Sequence, residues 1–288
     1  MITASLVKEL RDITNAGMME CKNALKETGG DIEAAVKQLR ERGAIKAAKK
    51  AGRAAKEGIV TARIEEDAKH GILVEVNCET DFVAKNENFQ KFVTELVNTV
   101  AASGAADLDA ARAVSHGHGT IDDFVKEKVI ELGENLQFRR MVRFDVDGPG
   151  VVASYIHLGG KVGVLLEAGC ESDSTAGSGI FRELVKDLTL HIAAASPAGL
   201  RREDIPAELV EAEKDVFRKQ ERDSGKPPEI VDKIVEGRLA KFYADQCLLE
   251  QGFVKDTDTT VGKLLAATGR EIGDTLTVRR FARFAVGE

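Results

Sequence analysis

Tryptophan is absent from this 288-residue chain, and aromatic residues make up only 5% of it. An aromatic ring outside an apolar pattern is therefore informative. The four cysteines, Cys21, Cys78, Cys170 and Cys247, lie far apart, which excludes a disulfide scaffold and a cysteine metal site. Cys78 and Cys170 fall on apolar strand faces and read as small buried hydrophobes. No apolar run approaches ~18 residues, so no membrane span and no membrane partner are expected. The start, Met1-Ile2-Thr3-Ala4-Ser5, has no apolar signal core and is not rich in arginine, so a cytoplasmic protein is expected.

Catalytic signatures are missing as well. There is no phosphate-cradling Gly-x-x-x-x-Gly-Lys-Ser/Thr run and no Gly-x-Ser-x-Gly. His116-Gly-His118 sits in a Gly/Ser-rich loop without nearby carboxylate or cysteine ligands in sequence, so no metal and no cofactor are expected. No set of nucleophile, base and orienting group can be nominated, and a binding protein without covalent chemistry is the reading. Net charge is −7, yet residues 1–55 hold 11 Lys and Arg against 7 Asp and Glu. The acidic remainder argues against direct nucleic-acid binding. The basic run Lys46–Lys56 is either a contact for RNA or an acidic partner, or a solvated helix with a linker.

What is present is a repeat. At an offset of 92, Gly58, Ile64, Lys69, Gly71, Leu73, Glu75, Cys78, Glu79 and Asp81 fall on Gly150, Ile156, Lys161, Gly163, Leu165, Glu167, Cys170, Glu171 and Asp173. Phe89, Val93 and Leu96 then meet Phe181, Val185 and Leu188, without a gap from residue 58 to 103. At an offset of 140, Glu131–Phe144 falls on Glu271–Phe284. The second copy thus carries 48 extra residues, the difference of the two offsets, roughly between Pro197 and Gly252.

Periodicity gives the elements. Ile72, Val74, Val76 and Cys78 alternate as a half-buried strand, with Ile59–Ile64 a strand before it. Phe89, Phe92, Val93, Leu96, Val97 and Val100 recur at helical spacing, as do Ile121, Phe124, Val125 and Val129. Phe138–Val146 reads as a closing strand. Each copy is an antiparallel sheet with helices, and the fold class is α+β. In the insert, Leu209, Ala212, Val216 and Gln220 form one helical stripe, and Val231, Val235, Leu239 and Phe242 a second. Ser224-Gly225-Lys226-Pro227-Pro228 turns between them. This helical hairpin is either a projecting contact arm or dimer contact, or packs back on its own domain. The N-terminal residues read as three short helices. Asp31 caps the third, which is expected to stop at Gly43. The expected division is a three-helix module at 1–45, a basic linker at 46–57, and subdomains at 58–147 and 148–288, the second with its insertion at about 200–250.

Two places suggest contacts. Met18-Met19 beside Gly17 forms either an adaptable apolar patch or ordinary core. Phe82, between Asp81 and Lys85, lies seven residues before Phe89 and on its own could be a further rung of that buried stripe. The second copy keeps Phe181 but has Ser174 at the place of Phe82. The fold evidently does not need an aromatic there, which favours a contact role.

These residues resemble the family of bacterial translation elongation factor Ts along essentially the whole chain. The markers are Leu6–Arg11, Ala16–Lys22, Ala44–Gly52 and Val76–Lys85, with Ser224–Pro227 and Val235–Arg238 in the insert. The resemblance implies a guanine-nucleotide exchange factor whose partner is elongation factor Tu, GDP-bound and nucleotide-free. It implies a ubiquitin-associated-like N-terminal domain that touches the partner's nucleotide domain, and a coiled-coil arm. It also implies that Thr80, Asp81, Phe82 and Val83 insert into the partner and disturb its Mg²⁺ and phosphate site. Further contacts are implied for Arg11, Met18, Met19, Lys22, His157 and Val254. Some members dimerise, so a homodimer or a 2:2 complex stays open. The loop Gly104–Gly119 is individual to this chain. A general RNA-associated factor and a scaffold binding ubiquitin-like folds are the alternatives.

Overall fold

A computed structural model describes residues 2–14, 16–222 and 227–288. The expected interruption at Asn15 and the turn residues Ser224, Gly225 and Lys226 lie outside the described residues. Three helices come first: α1 (Ala4–Thr14), α2 (Met18–Glu27) and α3 (Ile32–Lys50). They close over Leu10, Cys21, Ala24, Leu25 and Ala35. Asp31 caps α3, its side chain accepting from the Ala34 amide at 3.0 Å.

The third helix does not stop at Gly43. It runs to Lys50, so the first residues of the basic run are helical. A Cβ at Gly43 would stand 2.7 Å from Ile130 Cδ1. This glycine permits close helix packing rather than ending a helix.

The first copy follows as β1 (Glu57–Ile64), β2 (His70–Cys78), α4 (Asp81–Ala84), α5 (Glu87–Ser103), α6 (Leu108–Ala113), β3 (Ser115–His116), β4 (Gly119–Thr120), α7 (Ile121–Leu132) and β5 (Gln137–Asp145). The loop Gly104–Gly119 therefore holds a short helix and a strand of a small hairpin. Asn86 caps α5, and Thr120 and Asp123 form a reciprocal capping box on α7. Both helices end on a left-handed glycine, Gly104 at φ 72° and Gly133 at φ 78°. The sheet order is β1-β2-β5, all antiparallel.

The second copy repeats this as β6 (Gly150–His157), β7 (Val162–Gly169), α8 (Asp173–Gly177) and α9 (Gly179–Ala195). The insert follows as α10 (Ala207–Arg222) and α11 (Pro228–Gln246), then β8 (Gly252–Phe253), β9 (Asp256–Thr260), α12 (Val261–Ile272) and β10 (Thr277–Ala285). Its sheet order is β10-β7-β6. The molecule is α+β.

Each sheet packs helices on one face: Ile72, Val74 and Val76 with Phe89, Phe92 and Leu96 in the first copy, and Val164 and Leu166 with Phe181 and Leu188 in the second. The other faces pack on each other through Val60, Leu73, Phe144, Val152 and Leu165. The central strands β2 and β7 are consequently buried on both sides rather than one. Alternation gave only the helix-side face of β2, because Glu75 and Asn77 interrupt the other. Asn77 Nδ2 donates to Glu75 Oε1 at 2.9 Å and to Glu57 O at 3.1 Å, while its Oδ1 is buried without a partner among the described residues. The buried carboxylates are paired. Arg140 Nε donates to Glu75 Oε2 at 2.6 Å, and Arg280 Nε to Glu167 Oε2 at 2.6 Å. Each guanidinium also lies over the ring of the opposite copy, Arg140 over Phe284 and Arg280 over Phe144, both 4.3 Å from the centroid. The hairpin turns exchange backbone hydrogen bonds in the same reciprocal way. Val60 N donates to Gly160 O and Val152 N to Ala68 O, each at 2.7 Å.

The insert is closed at its base, where Leu248 N donates to Gly199 O at 2.9 Å. The stripe Leu209, Ala212, Val216 and Gln220 faces solvent. Val210 and Glu221 are buried instead, with Phe217 beside them, and Glu221 accepts from Arg238 Nη2 at 2.7 Å. Helix α10 carries apolar residues on two faces, so spacing alone picked the wrong one. The second stripe is the inner one, with Val235 buried and Leu239 and Phe242 half-buried.

Candidate functional site

Where β2 ends, its last amides leave the sheet and the chain turns directly into α4. Thr80 is extended and caps the helix, its hydroxyl accepting from the Val83 amide at 3.3 Å. Its own amide and that of Glu79 each donate to Glu134 Oε2 at 3.0 Å, and the Thr80 hydroxyl donates to Glu134 Oε1 at 2.6 Å. The Cys78 thiol donates to Thr80 O at 3.1 Å. Burial pushes that thiol up to about 12, so it stays protonated as a donor. Ala84 is buried and Val83 packs against the core of the first copy. Asp81 and Lys85 pair across one turn at 2.8 Å, and the Lys85 ammonium holds the Asp81 carboxyl below the usual range.

On this short, tied-down helix Phe82 is 82% exposed. It is not a rung of the buried stripe, which belongs to α5 and begins at Phe89. The second copy is built alike. Ser172 caps α8 through the Thr175 amide, Cys170 donates to Ser172 O at 3.2 Å, and Asp274 accepts from Glu171 N and Ser172 Oγ. The Thr175 hydroxyl first, then the Glu171 amide and the Ser172 hydroxyl, hold the carboxyl of Asp274 down to about 2. Ser174 is exposed at the place of Phe82. The position faces solvent in both copies, and only one of them puts a ring there.

The hairpin turn between β6 and β7 lies beside α4. Lys161 Nζ reaches Glu57 Oε2 at 2.5 Å, and the Lys161 charge is felt by Asp81 and the Glu57 charge by Lys85. His157 is exposed at the start of this turn, with its Nδ1 2.9 Å from the Tyr155 hydroxyl and the two rings stacked. Leu158 next to it is 71% exposed at φ 49°, a backbone region costly for a branched residue. It was missed from the sequence, although the repeat carries the signal: the first copy has Glu66 at this place.

The remaining residues expected to make contacts sit elsewhere. Met18 and Met19, at the start of α2, are 60% and 63% exposed, so neither is core. Arg11 and Lys22 are exposed on α1 and α2. Val254 is exposed in the β8–β9 turn, with its amide donating to Nδ1 of the buried His191 at 3.2 Å. His191 in turn pairs through Nε2 with Gln251 Oε1 at 2.9 Å, so the ring is neutral with its proton on Nε2. Burial lowers its pKa further.

His116 does have a carboxylate close by, contrary to its sequence surroundings: Glu95 Oε1 stands 3.1 Å from Nε2, and the ring packs on Phe124. Among the described residues no three His, Cys, Asp or Glu side chains cluster to hold a metal ion. None of the described helices is long and apolar enough to cross a membrane. All four cysteines are free and buried. What the α4 region offers is an exposed aromatic side chain on a helix tied to the core at its cap.

Comparison with known proteins shows the family. Residues 79–288 match the family model described as Elongation factor TS. The chain is 46% identical over 290 residues to Elongation factor Ts of Trichlorobacter lovleyi, covering all of this chain and 93% of that protein. It is 47% identical over 289 residues to Elongation factor Ts of Clostridium perfringens, covering 100% and 94%, and 43% identical over 287 residues to that of Nitratidesulfovibrio vulgaris, covering 100% and 96%. From residue 79, where the turn into α4 begins, to its last residue, and by near-half identity along its whole length, the chain belongs to the elongation factor Ts family.

Proposed function

We propose that this chain is the guanine-nucleotide exchange factor of translation elongation, acting in the cytoplasm on elongation factor Tu. The observation that carries the reading is Phe82, an 82% exposed ring on a helix fixed at both ends. In GTPases a Mg²⁺ ion bridges nucleotide phosphates and protein oxygens. A rigid apolar wedge that enters the partner's nucleotide domain displaces those groups and weakens ion and GDP together. Thr80, Asp81 and Val83 shape and support the wedge. His157 extends the same surface, and Arg11, Met18, Met19, Lys22 and Val254 supply a wider footprint.

Linkage makes the effect reciprocal: a factor that binds the empty partner more tightly weakens nucleotide by the same ratio. A coupling of ~5.5 kcal/mol corresponds to ~10⁴-fold, and one aromatic anchor supplies ~2–4 kcal/mol of it. The rest falls to the footprint. No covalent step is involved, and neither cofactor nor nucleic acid takes part. The active species is a 1:1 complex or, by pairing of two copies, a 2:2 complex. The test is release of fluorescent GDP from elongation factor Tu in stopped flow with increasing amounts of this chain. Acceleration that saturates is expected; a release rate independent of the added chain would refute the reading.

A further inference from the structure

Building on this exchange reading, we propose that Glu134 and Asn135 are positioning residues that lock the Phe82 helix to the exit of α3. The N-terminal module and the ring then meet a partner as one body. Glu134 takes three hydrogen bonds from the residues just before α4, where the amides have left the sheet and need an acceptor. Asn135 is buried. Its amide donates to Glu79 Oε1 at 2.6 Å, and its side-chain Nδ2 to Arg53 O at 2.8 Å and Ala51 O at 3.4 Å. Lys50 Nζ reaches Gly133 O at 2.5 Å, at the carbonyl end of α7. Residues 133–135 thus hold the end of α3 on one side and the entry to α4 on the other. Upstream, α3 already grips α7 through Gly43 against Ile130, and Arg40 Nη1 donates to His118 O at 2.6 Å.

The repeat separates the two tasks. A carboxylate serves the turn in both copies, as Glu134 and as Asp274. Asn135, however, is replaced by Thr275, and no helical module precedes the first strand of that copy. The amide side chain stands only where there is a module to hold.

Two readouts on the full chain test this. In Glu134→Gln, the amides of Glu79 and Thr80 should exchange with deuterium about tenfold faster or more, the scale of losing a hydrogen bond to a charged acceptor. Maximal GDP release from elongation factor Tu should fall about tenfold in step, with the half-saturating concentration little changed. Glu134→Asp, which imitates Asp274, should restore both. Asn135→Thr, a residue the second copy already accommodates, should speed amide exchange at residues 51–53 and at Glu79–Thr80. It should raise the half-saturating concentration while keeping the maximal rate. Unchanged amide exchange in both variants would overturn the proposal, as would wild-type GDP release by Glu134→Gln with those amides freed. If the amides respond as expected but the wild-type chain does not accelerate GDP release, the lock stands and the exchange reading fails.

Discussion

Replacing Phe82 by alanine separates the demands of folding from those of function. The ring is 82% exposed, so only about 30–40 Å² of it is covered, worth less than about 1 kcal/mol at ~25 cal/mol per Å². A loss of that size moves the melting temperature of a chain this long by roughly 2 °C. Covering the remaining ~150 Å² against a partner would be worth about 3–4 kcal/mol. That agrees with the range for a central aromatic anchor. At about 1.4 kcal/mol per tenfold, a loss of ~2–4 kcal/mol slows GDP release roughly 30- to 1,000-fold. The assay is stopped-flow release of fluorescent GDP from elongation factor Tu at saturating factor, with a thermal melt alongside. Phe89→Ala is the contrasting variant: that ring is fully buried, and its truncation should cost about 3–5 kcal/mol of stability. A Phe82→Ala chain that released GDP at the wild-type rate would refute the wedge. One that melted as low as Phe89→Ala would show the ring to be structural.

Two further outcomes follow from the core. Arg140→Ala strips the buried Glu75 of its cation and should cost about 3–5 kcal/mol, whereas the paired change Glu75→Leu with Arg140→Met should be far milder; denaturant titration distinguishes them. The neutral ring of His191 is required by the Val254 amide, and its folded pKa lies below the ordinary value of about 6.5. Its contribution is therefore complete above pH ~6.5 and is lost as pH falls through the lowered folded value. Melts between pH 7.5 and 5 should show this decline, and His191→Gln should flatten it.

Much of the architecture was legible because the chain contains its own comparison. The offsets of 92 and 140 aligned the strands and the flanking helices of both copies, and the Phe82–Ser174 difference marked the exposed ring. The parts that were not legible share a cause, which is contact between segments distant in sequence. Gly43 looks like a helix stop until Ile130 is seen against it. The inner face of β2 is disguised by Glu75, whose partner Arg140 lies 65 residues away. Helix α10 offers two apolar stripes, and only the position of α11 decides which is buried. The grip of Glu134 on Thr80 spans 54 residues, and no local pattern announces it. Leu158 was readable by the same repeat logic as Phe82, from the Glu66 that stands opposite it.

The face-to-face packing of the two sheets also sets a timetable for synthesis. Strand β10, which supplies Phe284 to cover Arg140, lies 140 residues behind β5 in the chain. Val152 and Leu165 of β6 and β7 reach Val60 and Leu73 soon after β5 is made, but at ~5–20 residues per second Arg140 and Phe144 wait roughly 7–28 s on the ribosome for β10. Apolar surface left open for so long invites association with neighbouring nascent chains. Glu75 and Arg140 sit in the middle of that face and already satisfy one another within the first copy. The ion pair keeps the unfinished sheet wet until the second one arrives, and then becomes part of the seam.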